Sequence, residues 1–237
     1  MFMRGLLIAA ALTVASIGGA FAQDEAEEII VTGARLERYE SLVLPAVTMT
    51  RRADAVLASA TIWSDSRDLQ LRSREIRATL EDMARRARAS DVTISLQQDD
   101  VLRPFTVDLA MRLLTYGGRA DSSQVVVQLR TATRGSSDTL DAARGRFNQF
   151  VESIAENGRA SVDFDEDELQ LTVIDLPQYR APLMQAIVAD GRSVAASMGE
   201  GFRPEIAGLE SPVAFRRSGD LDLTLFINYT LRVVPVR

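Results

Sequence analysis

The sequence predicts an α+β domain in which about three helices pack on a mainly antiparallel or mixed sheet that ends in a long C-terminal strand. Segments with the alternating apolar pattern of strands outnumber segments with helical spacing. The predicted strands also tend to follow one another in adjacent pairs, as strands of antiparallel sheets do. Residues 221–233 keep an apolar side chain at every second position, which is the strongest strand pattern in the chain.

The predicted elements follow one another in a regular order. Strands are predicted at residues 53–63, 92–96, 124–133, 159–164 and 169–174. Helices are predicted at residues 68–89, 138–157 and about 177–198. Residues 105–114 fit a strand and a helix equally well.

Apolar residues at helical spacing predict the first two helices. In the first helix they are Leu69, Ile76, Leu80, Met83, Ala84 and Ala87. Its opposite face carries Glu81 with Arg85 and Asp82 with Arg86, two pairs at i,i+4 spacing. In the second helix the stripe is Leu140, Ala143, Phe147, Phe150, Val151 and Ile154. Ser137 or Asp138 is expected to cap that helix at its start, and Gly158 at its end.

The terminal alternation predicts one continuous strand over residues 221–233. Such a strand is about 43 Å long at about 3.3 Å per residue. Slipping it by one residue turns its whole apolar row outward, so we expect a fixed register and one face buried along its length.

The chain begins with a segment that has the order of a secretory signal. Residues 1–4 are positively charged, residues 5–17 are almost wholly apolar, and residues 20–22 form a small-x-small cleavage site. The apolar run is shorter than the roughly 20 residues that span a bilayer, although an uncleaved anchor is the alternative. We therefore expect residues 1–22 to be removed. The mature chain then lies in the periplasm, free or at the outer membrane, with no transmembrane segment.

The composition excludes most catalytic chemistry. The chain has no Cys and no His, and all 27 of its basic residues are Arg. Disulfides, the usual zinc, haem and copper sites, Ser–His triads and Schiff-base lysines are therefore excluded. The net charge of −6 argues against a nucleic-acid partner. The groups that remain for chemistry are carboxylates, Tyr side chains and cations held by oxygen ligands. We expect no cofactor.

Residues 23–44 form a predicted acidic linker that contains a short β-prone stretch. The sequence EIIVTGAR resembles the segment that opens the plug of TonB-dependent outer-membrane receptors, where an extended stretch pairs with TonB by strand addition. The chain is too short for the barrel of such a receptor. The resemblance implies a TonB-binding segment, and the alternative is a plain β-prone tether. The candidate partner-binding residues are Glu28, Ile29, Ile30, Val31, Thr32 and Gly33.

The predicted domain is residues 45–237, and a longer resemblance covers about residues 45–234 of it. This region resembles the SIMPL domain family of bacterial periplasmic and outer-membrane-associated proteins. The matching features are the strand QVVVQL ahead of the second helix, the Asn157-Gly158 break, the alanines at residues 195–196 and the terminal alternating strand. Pro182 and Gly191 depart from the family pattern, whose third helix is richer in Ala and Lys. The resemblance implies an α+β domain that assembles into large oligomers in some members and has no assigned enzymatic activity.

Several acidic residues, two arginine clusters and Trp63 are further candidate sites. The acidic stretch from Asp163 to Asp167 lacks the Gly and Glu that an EF-hand loop needs at its sixth and twelfth positions, so it is expected to be a solvated turn. The acids considered for a carboxylate-dependent hydrolase are Asp99, Asp100, Glu152 and Glu156. The arginine clusters at residues 85–88 and 216–217 suit either anionic lipid or a salt-bridged face. Trp63 is expected in the core.

Three functions follow from these observations. The preferred one is a non-enzymatic exported envelope protein, a structural or interaction module that forms a homo-oligomer. The second is an accessory of TonB-dependent uptake that binds TonB, or another outer-membrane component, through Glu28–Arg35. The third is a hydrolase that acts through two carboxylates.

Overall fold

The computed structural model describes residues 44–98, 101–119 and 121–236 and confirms the predicted α+β class. Its helices are α1 (Leu69–Ala87), α2 (Val107–Arg112), α3 (Leu140–Glu152) and α4 (Arg180–Ser197). Its strands are β1 (Met49–Arg52), β2 (Ala55–Ser64), β3 (Val92–Gln98), β4 (Val101–Pro104), β5 (Thr115–Tyr116), β6 (Ser123–Ala132), β7 (Ala160–Phe164), β8 (Gln170–Thr172), β9 (Phe202–Ala207), β10 (Ala214–Arg217), β11 (Asp222–Phe226) and β12 (Thr230–Pro235). The predicted signal and almost all of the linker lie outside these residues.

A seven-stranded antiparallel sheet is the centre of the molecule. Its strand order is β4-β3-β6-β2-β7, with β5 beside β6 and β8 beside β2. Strands β2 and β6 pair along their whole length, from Ala55 opposite Ala132 to Ser64 opposite Ser123. Because side chains alternate along a strand, the two faces of this sheet have different compositions.

One face of the central sheet packs against α1 and α3. Ala60 and Ile62 of β2, like Ile76 of α1 and Phe147 of α3, are fully buried in one apolar cluster. The Phe147 and Phe164 rings lie 5.7 Å apart in a tilted arrangement that aromatic pairs favour. The predicted apolar stripes therefore hold the first two helices on the sheet, except that Leu69 is exposed and Ile154 lies beyond the end of α3.

Side-chain caps fix where α1 and α3 begin. Asp68 accepts a hydrogen bond from the main-chain N–H of Leu71, and Thr139 accepts one from that of Ala142. The prediction that Ser137 or Asp138 caps the second helix is therefore wrong. The second predicted helix was too long, because α3 ends at Glu152 with Ser153 as its C-terminal cap. Gly158 therefore does not cap α3. It has a φ of +64° in the loop before β7, where glycine is favoured.

The prediction of one long C-terminal strand is wrong. The chain leaves the strand conformation at residues 227–229 and forms β11 and β12, which belong to different sheets. Strand β11 lies between β1 and β10, and β12 pairs with β9. At the break, Gly208 lies so close that an added Cβ would be 2.8 Å from the Asn228 carbonyl oxygen. The alternation continues across the break because the odd-numbered residues are apolar in both strands. Each strand packs these residues against different neighbours.

Helix α4 runs unbroken through the two residues that depart from the family pattern. Pro182 lies in its first turn, where a missing N–H costs no hydrogen bond within the helix. Gly191 is buried where α4 crosses β9 and β12, and an added Cβ would meet Leu231 at 3.1 Å and Ile206 at 3.2 Å. The glycine thus lets α4 pack closely on the pair formed by β9 and β12, which we call the ribbon.

Candidate functional site

The face of the central sheet opposite α1 and α3 carries a groove. The β-sheet register places Trp63 of β2 between Gln124 of β6 and Ser161 of β7. Two residues earlier in β2, and on the same face, Thr61 lies between Val126 of β6 and Asp163 of β7. The prediction that Trp63 belongs to the core is wrong, because this partly buried side chain lies outside the apolar cluster. Ile62 and Ser64, its neighbours along β2, point to the helix side and are fully buried.

A tight turn forms the wall of the groove. The N–H of Gly117 donates to the carbonyl of Ser122, and the hydroxyl of Ser122 donates to the carbonyl of Arg119. A Cβ on Gly117 would be 2.2 Å from the Ser122 hydroxyl, so the turn closes only around a glycine. The groove has a volume of about 360 Å³. It is lined by Thr61, Trp63, Gly118, Arg119, Ser122, Gln124 and Asp163.

Charged side chains are paired at the rim of the groove. Asp65 accepts two hydrogen bonds from Arg159, at 2.6 and 2.8 Å, and one from Arg119 at 3.4 Å. The hydrogen bond from Arg159 is the main reason why the pKa of Asp65 lies below its ordinary value. Because Asp65 stays ionised at neutral pH, it holds the Arg119 guanidinium at the rim.

Beneath the rim, Glu75 is a buried carboxylate. It accepts hydrogen bonds from the hydroxyls of Ser64, at 2.6 Å, and of Ser66, at 2.8 Å. Burial raises the pKa of Glu75, but these hydrogen bonds and the N–H and charge of Arg159 outweigh burial and leave the pKa below its ordinary value. The lowered pKa keeps Glu75 ionised at neutral pH, and the carboxylate joins α1 to Ser64 and Ser66 at the end of β2.

Two further buried carboxylates join elements of the fold. Asp82 accepts a hydrogen bond of 2.8 Å from the main-chain N–H of Ala155, and this bond is the largest cause of its lowered pKa. Its predicted place on the exposed face of α1 is therefore wrong, because the carboxylate ties α1 to the loop after α3. Asp138 forms two hydrogen bonds of 2.9 Å with Arg146, which lower its pKa to about 2.

The structure describes two of the four acids that are candidates for hydrolysis. Glu152 and Glu156 are exposed, and Asp99 and Asp100 lie outside the described residues. The acidic turn near Asp165 is exposed, as predicted. Residues 44–98, 101–119 and 121–236 contain no cluster of three acids that could hold a metal ion.

The candidate TonB-binding residues, Glu28, Ile29, Ile30, Val31, Thr32 and Gly33, also lie outside the described residues. Their role therefore stays a prediction. The arginine clusters at residues 85–88 and 216–217 include side chains paired with acids on their own elements. Arg85 and Arg86 both contact Asp82, and Arg217 lies 3.9 Å from Asp220. These pairs agree with the salt-bridged alternative for both clusters.

The ribbon offers a second kind of site, an interaction surface. The N–H of Val236 donates to the carbonyl of Gly201, which makes this a hydrogen-bonded pair of the antiparallel register. Such pairs recur at every second residue, so Arg232 and Val234 face β9 with their N–H groups while Leu231 and Val233 point theirs away from it. Within the described part of the chain, neither of these two outward N–H groups has a main-chain partner.

Comparisons with protein families, with curated proteins and with solved structures find no match for this chain. No helix in the part of the chain that the structure describes is long and apolar enough to cross a membrane.

The two surfaces differ in how far the sequence could have indicated them. A lone Trp63 between polar residues of an alternating strand is a signal for an exposed sheet face, and its position among Thr61 and Ser59 could have been used. The ribbon edge depends on the pairing of β9 with β12, which are separated by β10 and β11. Nothing local in the sequence encodes that pairing.

Proposed function

We propose that this chain is a non-enzymatic, exported envelope protein that acts as a structural module and self-assembles through the outer edge of β12. Export and a periplasmic location follow from the predicted signal at residues 1–22. The SIMPL-like order of elements is in keeping with such a module. The observation that carries the self-assembly is the pair of outward N–H groups at Leu231 and Val233.

The state of the ribbon supports addition of another strand. A two-stranded sheet is marginally stable in water unless further strands or a helix pack on it. Helix α4 covers one face of the ribbon, but the outer edge of β12 still presents N–H groups that the ribbon does not use. The outer edge of β9 is poorly suited to pairing, because Pro204 has no N–H and the N–H of Phe202 donates to Gly199. The edge of β12 lacks a donor only at its end, at Pro235. A new strand therefore pairs with β12 and not with β9.

A second copy of this chain fits the β12 edge. Two copies of β12 can pair antiparallel around a two-fold axis at Val233, so that each Val233 pairs with its counterpart and each Leu231 donates to the carbonyl of Pro235 in the other copy. This register keeps Arg232 opposite Val234 and avoids placing two arginines opposite each other.

Exposed apolar residues near the ribbon support the same surface. They are Val194, Met198, Phe202 and Val236, on α4 and at the ends of β9 and β12. In the two-fold arrangement both copies of α4 lie on the same face of the joined sheet, which places the exposed Val194 and Met198 of each copy on that face.

The buried carboxylates have a role in holding the module together. Glu75, Asp82 and Asp138 are each held ionised by hydrogen bonds within the fold.

Light scattering with size-exclusion chromatography on residues 23–237 tests the proposal. We expect a discrete oligomer that Val233→Pro converts to a monomer, because the proline removes an outward N–H that the ribbon does not use. The control is Pro204→Val, which adds a donor on the opposite edge of the ribbon and should leave the oligomer intact. An unchanged circular dichroism spectrum shows that each variant is folded.

Two outcomes would contradict the proposal. A wild-type chain that stays monomeric at every concentration rules out self-assembly. An oligomer that survives Val233→Pro but is lost on deletion of residues 28–35 assigns assembly to the N-terminal segment instead of β12.

A further inference from the structure

We infer that the groove at Trp63 is a binding site for an uncharged glycan, independently of the self-assembly proposed above. The groove lies on the sheet face opposite α1 and α3, and its walls come from β2, β6, β7 and the turn between β5 and β6. Its volume of about 360 Å³ is at the small end of ligand pockets, which suits one or two sugar rings.

The groove combines one aromatic side chain with several hydrogen-bonding groups. Trp63 is the chain's only tryptophan, and it is flanked across the strands by the amide of Gln124 and the hydroxyl of Ser161. A pyranose ring has an apolar face of C–H groups, which stacks on an indole, and a rim of hydroxyls, which needs donors and acceptors. Thr61, Gln124 and Asp163 supply such groups within one or two residues of the indole.

The charge of the lining favours a neutral ligand. Arg119 and Asp163 are the charged residues that line the groove, and they have opposite signs. The Arg119 guanidinium is also held near Asp65, at 3.4 Å, and near Asp121, at 3.9 Å. The site therefore has no excess of one sign that would select an anion or a cation, whereas hydroxyl groups can bond to both kinds of side chain.

The walls of the groove are held in place before any ligand binds. The Gly117–Ser122 turn is closed by main-chain and side-chain hydrogen bonds. On the opposite side of β2, Arg72 is buried and donates to the hydroxyl of Ser123 and to the carbonyl of Ser66. A fixed site loses less entropy on binding, which matters for a ligand with few apolar contacts.

Fluorescence of the single tryptophan tests the inference directly. The probes are two uncharged oligosaccharides, cellotetraose and tetra-N-acetylchitotetraose, titrated into wild-type residues 23–237. We expect a saturable change in Trp63 emission with at least one of the two sugars. Gln124→Ala and Asp163→Ala should each weaken binding by about fivefold, as for the loss of one hydrogen bond.

The matched control is Gln128→Ala. Gln128 is the same residue type on the same face of β6, but it lies two positions beyond Val126 and donates to Ser59. It should bind the sugars as wild type does. For Trp63→Ala, which removes the reporter, isothermal titration calorimetry should show loss of the binding heat, and circular dichroism should show an unchanged fold.

Other results would overturn the inference. They include no response to either sugar, equal weakening by Gln124→Ala and Gln128→Ala, or a response only to an acetylated arginine amide, which would make the groove a site for a cationic peptide. The oligomeric state is measured separately, so failure of the glycan site leaves the self-assembly proposal standing, and the converse holds as well.

Discussion

At the scale of single residues, Gly158 shows how a backbone conformation and a buried charge depend on each other. Its φ is +64°, and an added Cβ would lie 2.3 Å from Oε1 of Glu75. Glu75 in turn is bonded to Ser64 and Ser66, at the end of β2 that carries Trp63. A side chain at position 158 therefore disturbs both the loop and the carboxylate.

We predict that Gly158→Ala lowers the free energy of unfolding by about 3 kcal/mol, from left-handed strain and from displaced hydrogen bonds of a buried carboxylate. The control is Gly135→Ala, because Gly135 has a similar φ of +59° but open space around it. That variant should lose about 1 kcal/mol. Urea unfolding measures both, and equal losses would show that the contact with Glu75 contributes nothing.

Residue types also set the limit of what the sequence could predict about the site. The absence of His and Cys is read directly from the sequence and excludes the chemistry that needs those side chains. The alternation around Trp63 gives two faces but does not say which one the helices cover. Asp82 was assigned to an exposed face because its partner, the N–H of Ala155, is distant in the chain and invisible to helical spacing.

At the scale of elements, the start of α3 is the most heavily anchored point of the fold. Thr139 caps the helix, and Asp220 from the turn between β10 and β11 accepts a hydrogen bond of 2.9 Å from the N–H of Leu140. Asp138 is paired with Arg146, whose Nε also donates to Thr131 of β6 at 3.0 Å. These contacts join α3 to the central sheet and to the hairpin formed by β10 and β11.

We predict that Asp138→Asn destabilises the protein by about 3 kcal/mol at neutral pH, because it leaves the largely buried Arg146 charge without its partner. The pKa of Asp138 is about 2 in the folded protein, against 3.8 as its ordinary value. The unfolded chain therefore takes up the proton first as the pH falls. The stabilisation by Asp138 is complete above about pH 4 and is lost toward about pH 2.

The expected signature is a difference between wild type and Asp138→Asn that shrinks over this pH range in urea unfolding. Asp141→Asn is the matched control, because Asp141 is three residues from Asp138 in the first turn of α3, is highly exposed and pairs with Arg144. Its effect should stay within about 0.5 kcal/mol at every pH. A difference for Asp138→Asn that is independent of pH would mean that the carboxylate is not held ionised by Arg146.

The elements themselves were predicted unequally well. Helix α1 and strands β2 and β6 have long, regular patterns, and the structure places them within a few residues of the prediction. Strand β9 was missed because Pro204 and nearby charged residues break its alternation and because its partner β12 is distant in the chain. Strand β10 was missed because it has only four residues, two of them arginines, although it pairs with the next strand, β11. The C-terminal strand was predicted as one element because its period of two persists across the break at residues 227–229, where the chain changes from one sheet to another.

At the scale of the whole molecule, one apolar cluster spans most of the fold. Side chains from β2 and α1 belong to the same cluster as Phe215 of β10 and Leu223 of β11. The central sheet and the three-stranded sheet are therefore expected to unfold together. The ribbon differs, because its strands are largely exposed and it rests on α4 along one face.

This difference predicts the order of amide hydrogen exchange. In dilute monomer, amides of the ribbon, such as those of Arg232 and Val234, should exchange before those of Val127 in β6, because local opening of a two-stranded ribbon requires less free energy than global unfolding. When the concentration is raised so that copies associate, the amides of Leu231 and Val233 should slow, while those of β6 should not change. Exchange measured by mass spectrometry at two concentrations tests both statements. Ribbon amides that are as slow as those of β6 in the monomer would show that β9 and β12 belong to the cooperative core and that α4 alone stabilises the ribbon.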